Sequence, residues 1–288
     1  MRWRSSSTPT RRQADRPRVR TDTRTPNRVE IIVSPLLARA GFAHAFSTRI
    51  GGVSRAPFDS LNLQSVQANA RIANGEPRDD EHAIRENHAR FSDAAGIGRD
   101  AVVADVSQVH GCTVVRAEQA LASRTAADAV TSGRGGHAVL VRVADCVPVL
   151  IADPSTGAVA AVHAGWRGVV AGVVPAAIAA LRVDPRTVVA AIGPCISARH
   201  FEIGPEVADE LAKADLAECV IAPGVHGPKH HADLVRAVAL QVARCGVAHA
   251  NIDAVAPCTY ADRARFFSYR RDGAASGRLA AVIAPLQG

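Results

Sequence analysis

The chain has no CxxC pair, no HxH pair and no apolar run long enough for a membrane helix, and only 4% of its residues are aromatic. Each shortage removes a class. Without CxxC, the six cysteines (Cys112, Cys146, Cys195, Cys219, Cys245 and Cys258) offer no finger or ribbon spacing, and 288 residues need no disulfide staples. The apolar runs stay well short of the roughly 18 residues of a spanning helix. The N-terminus has no apolar stretch of the secretory type. A reducing, cytoplasmic setting with no membrane partner is expected. GxGxxG, GxxxxGK(S/T) and GxSxG are also missing, which sets aside the dinucleotide fold, the P-loop and the nucleophile elbow.

The net charge of +7 misleads. Residues 1–28 hold nine arginines against Asp15 and Asp22, the whole excess, and from Val29 onward 25 basic residues face 25 acidic ones. A neutral body gives no reason to expect a specific nucleic-acid surface. Residues 1–28 are Arg, Ser, Thr and Pro with few large apolar groups, and are expected to be a disordered extension. Residues 29–288, 48% hydrophobic overall with abundant Ala and Val, are expected to form one catalytic domain.

Strand-like runs alternate with helical patterns, and many lack a crossover helix. This predicts an α/β fold, a large mixed sheet with helices outside. Val139–Val143, Val147–Ala152 and Ala158–Val162 read as buried strands, as do 101–106 and 216–221. Helices are predicted at 80–91, 169–181 (despite Gly172 and Pro175), 205–214 and 233–245. Gly51-Gly52 permits close approach to a ligand.

Within this apolar frame, Cys146 and His163 stand at strand ends, and His110 precedes Gly111 in a similar place. The three are separated by 36 and 17 residues, a spacing typical of ligands gathered from different strand ends. Imidazole and thiolate suit Zn²⁺ or Cu²⁺, and three protein ligands leave a fourth position open, the catalytic pattern. The residues alone leave a rival open: Cys146 as a nucleophile paired with histidine.

Eight motifs in order then resemble one family: STRIGGVS at 47–54, SQVHG at 107–111, ADC at 144–146, VHAGWRG at 162–168, IGPCI at 192–196, FEIG at 201–204, CTY at 258–260 and FFSYRRDG at 266–273. The chain resembles the YfiH/YlmD-like purine nucleoside phosphorylases, also described as multicopper polyphenol oxidases or laccases, with human FAMIN as a relative. The resemblance spans about 29–284. It implies a single layered domain with mixed β-sheets and outer helices, and a metal triad on His110, Cys146 and His163. It also implies phosphorolysis of adenosine, inosine and S-methyl-5′-thioadenosine to free base and (methylthio)ribose 1-phosphate, with adenosine deaminase side activity. Inorganic phosphate would be co-substrate, and the enzyme a monomer or homodimer. Two departures are a longer link at Gln64–Pro77, expected to reshape the pocket rim, and Phe201 where tyrosine is common.

Phosphate needs positive or N–H donors. Arg49, beside the paired glycines, is the first candidate, with Arg167, four residues after His163, next. Arg270 is a third, and either it or Arg271 is expected to pair with Asp272. Ser47 is a candidate sugar or phosphate donor, and Asp145, beside Cys146, a candidate for orienting a histidine or moving a proton. Cys195 and Cys258 are expected to take packing or loop roles, and His226, His230 and His231 to sit in a surface loop. The competing functions are a copper phenol oxidase, a Cys-dependent hydrolase and a non-enzymatic binding module. The HxE…PCxxC deaminase signature is absent, so deamination would need a different site.

Overall fold

A computed structural model describes residues 19–20, 28–72, 75–123 and 125–287. The extension expected to be disordered lies outside the described residues, except Val19–Arg20, which pair antiparallel with Ile31–Ile32, and Arg28. The α/β fold is layered, but the strands form two six-stranded sheets rather than one large sheet, with a third of three strands. The first sheet runs Val19–Arg20, Ile31–Ile32, His44–Ser47, Leu279–Ile283, Ala138–Val143, Val103–Ala104. The second runs Ile252–Ala254, Val189–Ile192, Val147–Ala152, Val159–Ala164, Ala129–Ser132, Val114–Arg116. Both mix parallel and antiparallel pairs.

Side-chain alternation explains the layering. In Ala138–Val143, Val139, Val141 and Val143 join an apolar cluster with Leu150, Ala152, Val159 and Ala161 of the second sheet. Ala138 and Leu140 join Phe91 of the helix Glu81–Ala94 on the other side. The outer face of the second sheet (Val147, Val149, Ile151, Ala160, Val162) packs on the helices Val173–Leu181, Pro205–Lys213 and Leu234–Arg244. Four layers result: helix, sheet, sheet, helices. Each fully buried valine or leucine contributes roughly 1.5–3 kcal/mol, so packing fixes the spacing of the two sheets.

Two strands adjacent in sequence, Ala138–Val143 and Val147–Ala152, belong to different sheets. The three residues between them, Ala144, Asp145 and Cys146, cross from one sheet to the other, with Asp145 at φ 89°. Cys146 packs at the margin of the inter-sheet cluster. His163 shares the parity of Val159 and Ala161, so it faces the same interlayer space. The crossing therefore places thiol and imidazole together.

Some predicted elements are corrected. The single helix 169–181 is two, Trp166–Val170 and Val173–Leu181, broken at Gly172, where φ is +80°. Predicted strand 216–221 is mostly a 3₁₀ turn, Ala217–Cys219, before Val220–Ile221, and 101–106 shortens to Val103–Ala104. Asp80 and Asp233 are N-caps rather than first helical residues, their carboxylates accepting the Ala83 and Arg236 amides. The paired glycines approach the chain itself. A Cβ on Gly51 would lie 2.4 Å from Val29 Cα, and one on Gly52 2.1 Å from the Ser60 carbonyl. Among the described residues no helix is long and apolar enough to cross a membrane.

Candidate metal centre

His110, Cys146 and His163 converge. One ligand atom from each lies within 4.8 Å of the others, and the Cys146 Sγ is 3.9 Å from His110 Nε2. The imidazoles meet edge to face with centroids 4.8 Å apart. Tetrahedral bonds of about 2.0–2.3 Å put ligand atoms about 3.5 Å apart, so a small contraction would close the triad on a metal. A glycine makes room: a Cβ on Gly165 would lie 2.9 Å from His110 Cδ2 and 3.1 Å from Cys146 Sγ. His110 is exposed, Cys146 half-buried and His163 buried, so the centre has an open side.

Asp128 organises two of these ligands. Its fully buried carboxylate accepts from His163 Nδ1 at 2.8 Å and from the backbone N–H groups of His110 at 2.9 Å, Gly111 at 2.6 Å and Val109 at 3.2 Å. The first bond leaves His163 Nε2 as its ligand atom. The other three curl the Gln-Val-His-Gly loop so that His110 sits at φ 62°. Gln108 pins the same loop to strand Ala138–Val143 through both backbone groups of Arg142, at 2.7 and 2.8 Å. Burial would raise the Asp128 carboxyl, but the donors from His163, Gly111 and His110 outweigh it and hold it below its ordinary value. Burial would likewise raise the Cys146 thiol, yet His163 and His110 bring it down. Burial opposes charge on His163, whereas Cys146 and Asp128 raise its affinity for a proton. Each of the two thus favours the charged form of the other, and a metal on His163 Nε2 competes with a proton for that site.

Asp145 serves another segment. Its Oδ1 accepts from Thr259 Oγ1 at 2.6 Å, and its Oδ2 from Ser268 Oγ at 3.0 Å and the Arg270 amide at 2.7 Å. No hydrogen bond joins it to His110 or His163; among the described residues that carboxylate is Asp128.

The triad opens into a cavity of ≈ 520 Å³, whose wall includes Gln64, Ser65, Ala68, Arg142, Tyr269 and Arg278. The longer link therefore reaches the rim, through Gln64 and the Ser65-capped helix Val66–Ala70. The four predicted substrate residues lie off this wall. Ser47 is buried in its strand, its Oγ accepting the Ala280 amide at 2.9 Å. Arg49 lies over the Phe267 ring at 4.4 Å and donates to the Asp59 carbonyl at 2.7 Å and the Arg263 carbonyl at 3.3 Å. Arg167 is exposed and stacks on Trp166 at 4.4 Å. Arg270 donates to the Glu202 carbonyl at 3.1 Å and covers Phe201 at 5.2 Å. Arg271 is the residue that pairs with Asp272, at 2.8 Å. Cys195 is buried in the core and Cys258 accepts the Ser197 amide at 3.3 Å. His230 and His231 lie in the strand His230–Ala232 rather than a surface loop, with His231 buried.

The comparisons with known proteins agree on family. A family described as multi-copper polyphenol oxidoreductase laccase matches residues 43–285. A Pseudomonas aeruginosa protein named purine nucleoside phosphorylase is 37% identical over 82% of this chain and 90% of its own. Purine nucleoside phosphorylase YfiH of Escherichia coli is 36% identical over 84% of this chain and 93% of its own. A crystal structure of a Neisseria meningitidis protein of family DUF152 superposes with a TM-score of 0.72 at 36% identity, covering 93% of this chain and 98% of that one.

Proposed function

The chain belongs to the YfiH-like family described as multi-copper polyphenol oxidoreductase laccase, whose relatives reported above are named purine nucleoside phosphorylases, and from that premise we propose that it phosphorolyses purine nucleosides. The observation that carries this reading is the convergence of His110, Cys146 and His163 on one cavity of ≈ 520 Å³, within the roughly 300–1,000 Å³ range of small-molecule sites. The substrates are adenosine, inosine and S-methyl-5′-thioadenosine. The setting is cytoplasmic, and the enzyme is a monomer or homodimer.

In the reaction, an oxygen of the phosphate dianion forms a bond to C1′ of the ribose. The C1′–N9 bond breaks and its electron pair goes to the purine. The proton of the dianion ends on the base, leaving ribose 1-phosphate. The chain's task is to hold phosphate and nucleoside in line and to exclude water, which would otherwise give free ribose. Tyr269, 56% exposed on the cavity wall, offers a flat face to a purine. His110, Cys146 and His163 would hold Zn²⁺, or Cu²⁺ as the alternative, with Asp128 fixing the geometry. The metal would supply Lewis-acid chemistry. Adenosine deamination, with water oxygen replacing the amino group at C6 and ammonia leaving, is the proposed side activity.

One three-residue group of metal-ligating side chains occurs among the described residues, which supports a mononuclear site over a multicopper oxidase. The Cys146 thiol, brought below its ordinary value by His163 and His110, favours a second reading, a Cys-dependent hydrolase. The test is product analysis with adenosine or inosine, with and without phosphate. Phosphate-dependent free base and ribose 1-phosphate are expected. Phosphate-independent inosine from adenosine reports deamination, and free ribose reports hydrolysis. Phenol oxidation without nucleoside cleavage, or a covalent adduct on Cys146 in active metal-free protein, overturns the reading.

A further inference from the structure

Two arginines that open into the triad cavity are held by one buried strap. Arg142 lies within the strand Ala138–Val143, and its Nε donates to the Leu63 carbonyl at 2.9 Å. Arg278 precedes the neighbouring strand, whose register sets Ala280 opposite Arg142. Its amide donates to Asn62 Oδ1 at 2.8 Å, and its carbonyl accepts the Leu63 amide at 2.9 Å. Asn62 and Leu63 are both buried. Asn62 is itself fixed, donating from Nδ2 to Asp79 at 2.8 Å and accepting at its carbonyl from Asn87 at 3.1 Å. One polar network thus fixes the guanidinium of Arg142 and the backbone from which the Arg278 side chain projects.

Their charge balance differs. Arg142 pairs with Asp105. Arg278 makes no ion pair among the described residues: its NH1 donates to the carbonyls of Ser276 at 2.8 Å and Gly277 at 3.1 Å, and its guanidinium lies 5.7 Å from the Tyr269 ring centroid. Among the described residues no Asp or Glu lines the cavity. Burial opposes the Arg278 charge, and a nearby anion would relieve that. A half-buried arginine, fixed at its backbone and hydrogen-bonded through its guanidinium to the Ser276 and Gly277 carbonyls, is a preorganised receptor for a tetrahedral oxyanion.

We propose that Arg278, with Arg142 beside it, forms the phosphate subsite of this cavity and holds inorganic phosphate against the nucleoside. This rests on the phosphorolysis reading for its role, though not for its existence. Arg278 here replaces Arg49, whose guanidinium is committed to Asp59 and to Phe267.

The test measures binding of inorganic phosphate to the metal-loaded full chain without nucleoside, beside steady-state kinetics. Arg278→Gln should weaken phosphate binding and raise the KM for phosphate roughly 10- to 100-fold, the scale of lost charge-assisted hydrogen bonds. Nucleoside KM and metal content should hold. Arg278→Lys, which keeps charge and loses the fork, should recover part of the binding. In the wild type, phosphate should protect Arg278 from phenylglyoxal, a readout that needs no variant to fold. Unchanged phosphate affinity in Arg278→Gln, or no protection in the wild type, overturns the subsite. Arg278-dependent phosphate binding without any nucleoside product upholds the subsite while sinking phosphorolysis. Adenosine 5′-monophosphate binding through Arg278 more tightly than inorganic phosphate overturns the free-phosphate assignment, because the oxyanion would then be the ligand's own.

Discussion

Asp128 and Asp145 flank the same three side chains, both buried, at 0% and 8% exposure, yet they hold different things. Asp128 accepts four N–H groups, one from His163 and three from the His110 loop. Asp145 accepts two hydroxyls, of Thr259 and Ser268, and the amide of Arg270. An N–H can only donate. A hydroxyl can turn round and accept. The first carboxylate is therefore obligatory as an acceptor, while the second sits among partners that can adapt. Adjacency to Cys146 in sequence says nothing of this, since Asp145 and Cys146 lie on a chain crossing and point to different neighbours.

The largest expected effect follows at Asp128. Asn at this position puts an NH₂ where an N–H arrives. Either that clash persists, or His163 changes tautomer so that Nδ1 accepts. In the second case Nε2 carries the proton and no longer ligates metal. Asp128→Asn should weaken metal affinity 10- to 100-fold, an order of magnitude typical of such partners, and activity should fall with it. Metal titration by a competing chelator checks this. The acid limb should change too. The folded Asp128 pKa lies below its unfolded value of 3.8, so its stabilisation is present above that value and is lost as pH falls through the folded one. Asp128→Asn should remove that part of the acid slope in chemical denaturation. Wild-type metal affinity in Asp128→Asn would erase the contrast between the aspartates.

The residues with soft ligand chemistry were visible in the sequence, because His110, Cys146 and His163 interrupt apolar strand ends. What supports them was harder to see. Asp128 lies 35 residues from His163, and the relation depends on the pairing of Ala129–Ser132 with Val159–Ala164. A local signal existed: an aspartate entering an apolar strand directly. Arg142 gave a similar one, a lone charge inside Ala138–Val143, and Arg278 stands just ahead of Leu279–Ile283. Arg49 drew attention instead because it adjoins Gly51-Gly52, but those glycines accommodate backbone at Val29 and Ser60 rather than a ligand. The α/β layering with more than one mixed sheet was implied by the resemblance, whereas the strand-like runs alone suggested one large sheet. Strands apolar on both faces do not disclose which face meets a sheet and which meets helices.

Asp145→Asn sharpens the same comparison with a smaller effect. Its amide nitrogen can face Thr259 Oγ1, which turns to accept, while the remaining oxygen keeps Ser268 and the Arg270 amide. Stability should fall by about 1 kcal/mol, with metal content unchanged. Asp145→Ala leaves two buried hydroxyl bonds and the half-buried Arg270 amide without their acceptor, and should cost about 1–3 kcal/mol. Thermal and urea unfolding with metal analysis separate these outcomes. Loss of metal in Asp145→Asn at normal stability would restore Asp145 as the residue that orients the ligands.

The smallest effect is expected at Arg49, which tests whether a charged side chain near a family motif must touch substrate. Its Asp59 contact at 3.3 Å involves a carboxylate whose side chain is 61% exposed, so solvent screens it. The stacking on Phe267, at 4.4 Å, supplies roughly 0.5–1 kcal/mol. Arg49→Ala should therefore lower stability by about 1 kcal/mol and leave the KM for phosphate within about twofold of wild type. Measured side by side with Arg278→Gln, the two variants should separate: one shifts the unfolding midpoint, the other shifts phosphate affinity. If Arg49→Ala raised the phosphate KM as far as Arg278→Gln, at matched metal content, the oxyanion would have to lie toward Phe267, and the cavity beside the triad would lose its claim to the nucleophile.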